Sequence, residues 1–287
     1  MKENISNEDI RYRRMTAEDL PAARQLSLSV LWPHRLEDWK FILEVCVGFV
    51  AEDASGVVGT VVCAAHGKQF ASLGMMIVSP SRRRQGIGRE LAARALKEVG
   101  ERSVLLHGSL EGQALCEEHG FRLTGKIHQH QGSVFRAPFV ALGAGERIRP
   151  VSSRDEAKLI DLASRATGMP RGTVIKHLLD VANCVAIDRY GELIGFAALR
   201  KFGLGHMIGP VVAPDIERAK VLIAHWAGSY ASSFVRVDVP GWTELSPWLA
   251  EMGLMLADHA VPAMTRGEAA SPDATVKQFA LLSQTLG

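Results

Sequence analysis

Hydrophobic and polar positions along the chain alternate in patterns that predict short strands and amphipathic helices. Two apolar runs, at 50–51 and 61–62, flank a turn that carries Asp53 and Gly56, which is the pattern of a β-hairpin. An apolar strand over 73–78 then leads into a helix whose apolar positions recur at helical spacing: Leu91, Ala92, Ala95, Leu96 and Val99. Strands and helices in this order predict an α+β fold.

The same succession of patterns occurs twice in the chain. Four landmarks of the first half return in the second at a nearly constant offset: Arg13–Asp19 as Arg149–Asp155, Val50–Val62 as Val185–Ala198, Val78–Pro80 as Val212–Pro214, and Glu118–Phe121 as Glu251–Leu254. This correspondence indicates a tandem duplication of one α+β unit. Because the glycine-rich stretch at 142–145 marks a boundary, we predict a first domain over residues 1–143 and a second over 144–287.

Composition and charge exclude several classes of protein. The length of 287 residues suits two domains, and the net charge of +2 argues against a dedicated binder of nucleic acid or membrane surfaces. No apolar run approaches the roughly 20 residues of a membrane span, and the polar start of the chain does not resemble a signal peptide. The four cysteines are scattered, so we expect neither a disulfide framework nor a metal site, and we expect a cytoplasmic location.

A basic turn that contains glycine joins the strand ending at Val78 to the helix that follows it. Gly86 and Gly88 lack the Cβ atoms that would keep a phosphate from the backbone, and the free amides of a helix start bind phosphate oxygens. The arginines of the turn add positive charge: Arg82, Arg83, Arg84 and Arg89. A solvated basic helix start has the same composition, so the residues alone leave both interpretations open.

The run Val-x-Pro-x-x-Arg-x-x-Gly-x-Gly, present as Val78, Pro80, Arg83, Gly86 and Gly88, resembles the acyl-CoA signature of the GNAT N-acetyltransferase superfamily. The segment 114–121 is similar to that family's second conserved helix, which ends in Gly-Phe. The resemblance covers residues 10 to about 142, and the second half resembles the C-terminal domain of tandem GNAT proteins. It implies two domains, each with a mixed, mostly antiparallel central sheet flanked by helices.

This resemblance also implies acetyl-CoA as the cosubstrate, with no metal. The backbone of Met76, Ile77 and Val78 would pair with the pantetheine amides, and Ser109 replaces an asparagine common in the family. The pyrophosphate loop maps onto Arg83, Arg84, Gln85, Gly86, Ile87, Gly88 and Arg89. The second half has Asp215 and Glu217 where the phosphates would lie, so we predict that it does not bind CoA.

The catalytic positions depart from the family pattern. Cys116 stands where many relatives have a tyrosine that protonates the leaving thiolate, and a thiol of ordinary pKa about 8.5 suits that role. The alternative is that Cys116 is a small buried residue that packs in the core. No carboxylate lies on the strand over 73–78, where many relatives carry the general base, so His66 and His107 are the nearest substitutes. Each histidine has a purely structural alternative, and an ordered water is a further candidate base.

In the family, the segment after the first strand selects the acceptor. Here it contains Trp32, His34 and Arg35, which suit a small polar molecule with a flat or carboxylate-bearing part. The alternative is a helix–helix loop whose tryptophans pack inward. We therefore predict an N-acetyltransferase that acts on a small-molecule amine, with neither nucleic acid nor membrane as a partner, as a monomer or homodimer. A non-catalytic acyl-CoA sensor and the transfer of a longer acyl group are the alternatives.

Overall fold

The structure is a computed structural model and describes residues 10–257 and 259–287. Its first half contains β1 (Arg11–Arg14), α1 (Leu20–Ser29), α2 (Leu36–Val45), β2 (Val47–Asp53), β3 (Gly56–His66), β4 (Phe70–Val78), α3 (Ile87–Val99), β5 (Ser103–His107), α4 (Gln113–Glu118) and β6 (Arg122–Ser133). The second half contains β7 (Glu146–Pro150), α5 (Glu156–Thr167), α6 (Gly172–Val181), β8 (Asn183–Arg189), β9 (Glu192–Phe202), β10 (Gly205–Ala213), α7 (Ile216–Ser229), β11 (Phe234–Pro240), α8 (Ser246–Glu251), β12 (Met255–Leu256), β13 (Val261–Arg266) and β14 (Lys277–Ala280). The predicted hairpins, strands and helices are confirmed.

The duplication is visible in one partly buried ion-pair arrangement that occurs in both halves. Arg13 donates to Asp19 at 2.7 Å and to Glu52 at 3.0 Å, which ties β1 to the start of the first helix and to β2. In the second half, Arg149 donates to Asp155 at 2.8 Å and to Asp188 at 3.2 Å. The two halves therefore share contacts as well as element order.

Within each half, the central sheet is antiparallel except for one parallel pair of strands, β4 with β5 in the first half and β10 with β11 in the second. Strands β1 to β4 form an antiparallel succession, and β5 runs parallel to β4. The β4–β5 pairing covers only Phe70–Leu73 against Ser103–Leu106, so the two strands diverge beyond Leu73. Strands β10 and β11 are likewise paired in parallel, at 206–207 against 235–236. The central strand of each half thus diverges from its parallel neighbour, and in the second half β14 pairs with β10 at this place.

The two halves exchange strands, and the described strands form one continuous sheet. Strand β13 of the second half lies between β5 and β6 and pairs with both. Strand β6 of the first half continues past this pairing, and its residues 127–133 pair with β11. The stretch at 142–145 lies in the connection between β6 and β7, beyond the exchanged strand. Each half therefore depends on the other for part of its sheet.

The cores of the two halves are also joined. One apolar cluster contains residues of α1 and α2, such as Trp39, together with residues of α5 and α6, such as Leu178. Trp39 is fully buried, and its indole Nε1 donates to the Ser27 hydroxyl at 3.3 Å. Two further clusters lie under α3 and under α7. In the part of the chain that the structure describes, no helix is long and apolar enough to span a bilayer.

Candidate active site

A cleft of about 1480 Å³ opens at the start of α3, where β4 and β5 diverge. It is lined by every residue that we predicted for the cofactor except Gln85: Met76, Ile77, Val78, Arg83, Arg84, Gly86, Ile87, Gly88, Arg89 and Ser109. The chain thus brings the strand end, the basic turn and Ser109 to one surface.

The turn before α3 leaves its backbone accessible. Gly86 has a φ of +79°, in the left-handed region that favours glycine, and a Cβ added there would meet no atom within 4 Å. The Glu90 amide donates to the Gly86 carbonyl at 3.1 Å, which is the first hydrogen bond of this helix. The amides of the first turn have no partner within the helix, and they carry the positive end of its dipole. The turn therefore fits a pyrophosphate group.

The arginines of this turn differ in what they contact. Arg82 also lines the cleft, but its guanidinium pairs with Asp53 of β2 at 2.5 Å. Arg83 and Arg89 stay at the cleft, where they pair with exposed glutamates of the α4 region at 3.1 Å and 2.6 Å. Exposed ion pairs of this kind contribute little to stability, so a phosphate can compete for these guanidinium groups.

The β5-facing edge of β4 is free over its last residues. On the other edge, Val78 is paired with Gly59, and Ile77 with Thr60. Met75 has a φ of +48° and forms a bulge, and its carbonyl accepts a hydrogen bond from the Thr60 hydroxyl at 2.8 Å. Because β5 has diverged here, the strand keeps backbone donors and acceptors that the amides of a pantetheine arm can pair with.

A smaller cavity of about 180 Å³ adjoins the cleft and lies between the two halves of the chain. Four residues line both spaces: Leu31, Trp32, Ser109 and Val261. Trp32 and His34 line this cavity, which agrees with their predicted place near the acceptor. Arg35 does not line it, because its side chain donates to Asp38 at 2.8 Å and to the Lys201 carbonyl at 2.8 Å. The predicted acceptor contact of Arg35 is therefore not supported.

His107 ends β5 and lines the same cavity. Its Nδ1 donates to the Gln284 carbonyl at 2.9 Å, which leaves Nε2 as the nitrogen with a free lone pair. Burial lowers the pKa of His107 below its usual range, so the ring is neutral at pH 7. This tautomer and this protonation state are those of a general base.

His66 occupies a different place. It pairs with Phe70 at the start of β4, at the opposite end of that strand from Val78. Its ring is buried, its Nε2 lies 3.1 Å from the Ser72 hydroxyl, and burial together with Arg171 lowers its pKa to about 3. The structure thus argues against His66 as the base and supports its structural alternative.

Cys116 faces the core rather than the cleft. It lies on α4, it is 3% exposed, and it belongs to the apolar cluster under α3 together with Leu91 and Phe121. Its neighbours Ala114 and Leu115 line the cleft instead. Burial raises the pKa of Cys116 to about 11. The packing alternative is therefore supported over the predicted role of proton donor.

Sequence reasoning missed the charged residues that the second half contributes to the cavity. Arg200 on β9 and Arg236 on β11 line it, and Arg200 lies 3.6 Å from Asp38 of α2. The one available signal was an arginine at the end of the apolar run 196–199. Among residues 10–257 and 259–287, no three histidine, cysteine or acidic side chains form a group that could hold a metal ion.

Comparisons with known proteins agree with this geometry. A family model described as "Acetyltransferase (GNAT) domain" matches residues 45–123, and another of the same description matches residues 159–280. The chain is 26% identical over 224 residues to the uncharacterized N-acetyltransferase YitH of Bacillus subtilis (strain 168), covering 76% of this chain and 77% of that one.

Solved structures share the fold over nearly the whole chain. A candidate acetyltransferase from Pyrococcus horikoshii has a TM-score of 0.80 at 18% identity and covers 100% of this chain and 99% of its own. A tandem GNAT protein from the clavulanic acid biosynthesis pathway has a TM-score of 0.62 at 16% identity, covering 92% of this chain and 100% of its own. With both halves matched by GNAT models, this chain belongs to the GNAT acetyltransferase family and carries two of its domains in tandem.

Proposed function

We propose that this protein transfers the acetyl group of acetyl-CoA to the amine of a small polar acceptor, with the first half as the active domain. The observation that carries the proposal is the junction of two spaces. The cleft beside the free edge of β4 adjoins the cavity that His107 lines, and Leu31, Trp32, Ser109 and Val261 border both. A thioester at this junction meets the acceptor amine from the cavity side.

The residues present support a direct transfer. Acetyl-CoA supplies the activated acetyl group, and the turn over 83–89 holds its pyrophosphate. Nε2 of His107 accepts a proton from the acceptor ammonium and passes it to solvent, and the nitrogen of the neutral amine then bonds to the thioester carbon. Backbone amides over 76–78 donate to the carbonyl oxygen as it gains negative charge. The carbon–sulfur bond then breaks, the nitrogen loses its surplus proton to His107 or to solvent, and the thiolate takes a proton from protonated His107 or from solvent.

The second half has two features that oppose CoA binding. Strand β14 pairs with β10 at Val211–Ala213, and the Leu281 amide donates to the Asp238 carbonyl at 2.8 Å. The chain itself thus occupies the space that corresponds to the free edge of β4. The Asp215 carboxylate caps α7 by accepting from the Arg218 amide at 2.9 Å. Both features support a role for this half in shaping the acceptor cavity.

The test is acetyl-CoA-dependent release of free thiol across a panel of small amines. We expect release above the acceptor-free background for at least one class of amine, with the acetylated amine detected by mass spectrometry. Tight acetyl-CoA binding by calorimetry without turnover on any amine would instead favour the acyl-CoA sensor.

A further inference from the structure

The cavity between the two halves contains a buried guanidinium group with incomplete hydrogen bonding. Arg200 is 5% exposed, and within the described residues its Nε atom has no hydrogen-bond partner. Its other contacts are long: 3.6 Å to the Asp38 carboxylate and 3.4 Å to the Leu282 carbonyl. A buried donor without a partner is costly, and such groups in native structures usually have a ligand or a water.

The carboxylates near Arg200 are already engaged by other groups. Asp38 accepts from the side chain and the amide of Arg35 at 2.8 Å and from the Gly203 amide at 3.1 Å. Burial acts to raise the pKa of Asp38, but these hydrogen bonds outweigh it and lower the pKa, so the group is ionised. Asp238 forms a two-point pair with Arg236, at 2.8 Å and 2.6 Å.

Arg200 is the guanidinium group that lacks a close carboxylate partner. Asp38 pairs with Arg35 at 2.8 Å and Asp238 with Arg236 at 2.6 Å, whereas Arg200 lies 3.6 Å from Asp38. Burial lowers the pKa of Arg200 only to about 10, so the guanidinium stays protonated at neutral pH. Burial also lowers the pKa of His34 to about 4, and that ring adds no charge. A single negative charge in the cavity would give Arg200 the close partner that it lacks.

Size and lining restrict what can bring that charge. A volume of about 180 Å³ is close to that of engineered cavities that hold one benzene molecule, so the guest is small. The Arg200 guanidinium lies over the rings of Phe202 and Phe41, with centroids 4.7 Å and 5.4 Å away. These rings limit the approach to the edge of the guanidinium, where a planar carboxylate binds well.

We propose that the acceptor carries a carboxylate as well as the reacting amine, and that Arg200 binds this carboxylate while the amine faces His107 and the thioester. The acceptor class is thus small amino acids, and polyamines and other purely cationic amines are excluded. This inference rests on the proposed acetyl transfer and names its substrate class. It makes Arg200 of the second half a specificity residue for a reaction carried out in the first half.

The experiment compares matched sets of acceptors: amino acids, the corresponding carboxamides and the corresponding decarboxylated amines. Wild type, Arg200→Gln, Arg200→Lys and Lys201→Gln are assayed for thiol release, with acetyl-CoA affinity by calorimetry as the check that each variant is folded. Lys201→Gln is the matched control, because this substitution removes the positive charge of the next residue, which lies on the exposed face of β9.

We expect the wild type and Lys201→Gln to prefer the amino acid of each set. Arg200→Gln should raise the KM for amino acids roughly ten- to hundredfold, which is the loss of a charge-assisted hydrogen bond, and should leave the carboxamides little affected. Arg200→Lys should lie between the two. Unchanged acetyl-CoA affinity in all variants separates acceptor recognition from cofactor binding.

Equal or better turnover of carboxamides or decarboxylated amines by the wild type would overturn this inference and leave the acetyltransferase proposal standing. If none of the acceptors causes thiol release above the acceptor-free background, the result would contradict the proposed function instead. In that case calorimetry with the same compounds tests whether the cavity binds a carboxylate. Binding of amino acids by the wild type that is lost in Arg200→Gln would support the anion site. Failure of the wild type to bind any amino acid would refute the anion site.

Discussion

The Nδ1 atom of His107 lies 2.9 Å from the carbonyl oxygen of Gln284, which joins the end of β5 to the segment that follows β14. Arg171 holds the same segment by donating to the carbonyls of Leu286 and Gly287 at 2.7 Å and 2.9 Å. The orientation and tautomer of the candidate base in the first half are therefore set by residues of the second. In the reaction proposed above, this contact gives the second half a positioning role.

Replacement of His107 by alanine tests the base. We expect kcat to fall by roughly 10²- to 10⁴-fold, the usual contribution of a general base, with acetyl-CoA affinity retained. His66→Ala is the matched control, because it removes a buried histidine from the end of β3, opposite the start of β4, and should affect stability rather than kcat. Similar kcat values for His107→Ala and the wild type would contradict the assignment.

The pH profile of the wild type gives an independent check. A base works in its neutral form, so protonation of His107 reduces the rate as the pH falls. Because burial lowers the pKa of His107, the acidic limb that it causes should lie below the usual histidine value of about 6.5. An acidic limb that persists unchanged in His107→Ala would assign it to another group, such as the acceptor.

Gly86→Glu tests the pyrophosphate turn. The new side chain would extend into the open space before α3 and place a carboxylate against the phosphates. Loss of two backbone–phosphate hydrogen bonds, at about 1.5–3 kcal/mol each, predicts an increase of at least about a hundredfold in the Kd for acetyl-CoA. Titration calorimetry measures this directly.

Gly86→Ala is the control for backbone strain. The φ of +79° costs any non-glycine residue roughly 1–2 kcal/mol, so both variants should show a similarly lowered melting temperature. Only the glutamate adds charge and length, so the alanine variant should retain most of the affinity. If Gly86→Glu binds acetyl-CoA as the wild type does, the turn is not the phosphate site.

Cys116→Ala distinguishes packing from proton donation. Because the side chain is 3% exposed within the cluster under α3, we expect the free energy of unfolding to fall by about 1 kcal/mol. The rate and the basic limb of its pH profile should not change. A lower rate with a shifted basic limb would restore the thiol as the donor to the leaving group.

The sequence was most informative where the function depends on consecutive residues. The strand end at Val78, the turn through Gly86 and the start of α3 are local, so their order along the chain predicted their arrangement in space. Whether the Cys116 side chain faces the core or the cleft was not predictable. Helix α4 has only six residues, so its apolar positions are too few to show which face is buried. The meeting of Arg200 with Asp38 depends on how the two halves are joined, and no local pattern encodes the strand exchange.

The number of acetyl-CoA molecules bound by one chain tests the difference between the two halves. We expect one, because β14 occupies the edge of β10 and Asp215 caps α7, whereas β4 and α3 are free at the corresponding places. Asp215→Ser removes the negative charge and keeps a capping hydroxyl, so it isolates the effect of charge. We expect it to leave the stoichiometry at one, since β14 still occupies the edge of β10, while Gly86→Glu in the same background should weaken binding as strongly as it does alone. Calorimetric titration of two sites in the wild type would contradict the assignment of the second half as non-binding. A second site that appears only in Asp215→Ser would show that charge, rather than the chain's own strand, keeps the cofactor from that half.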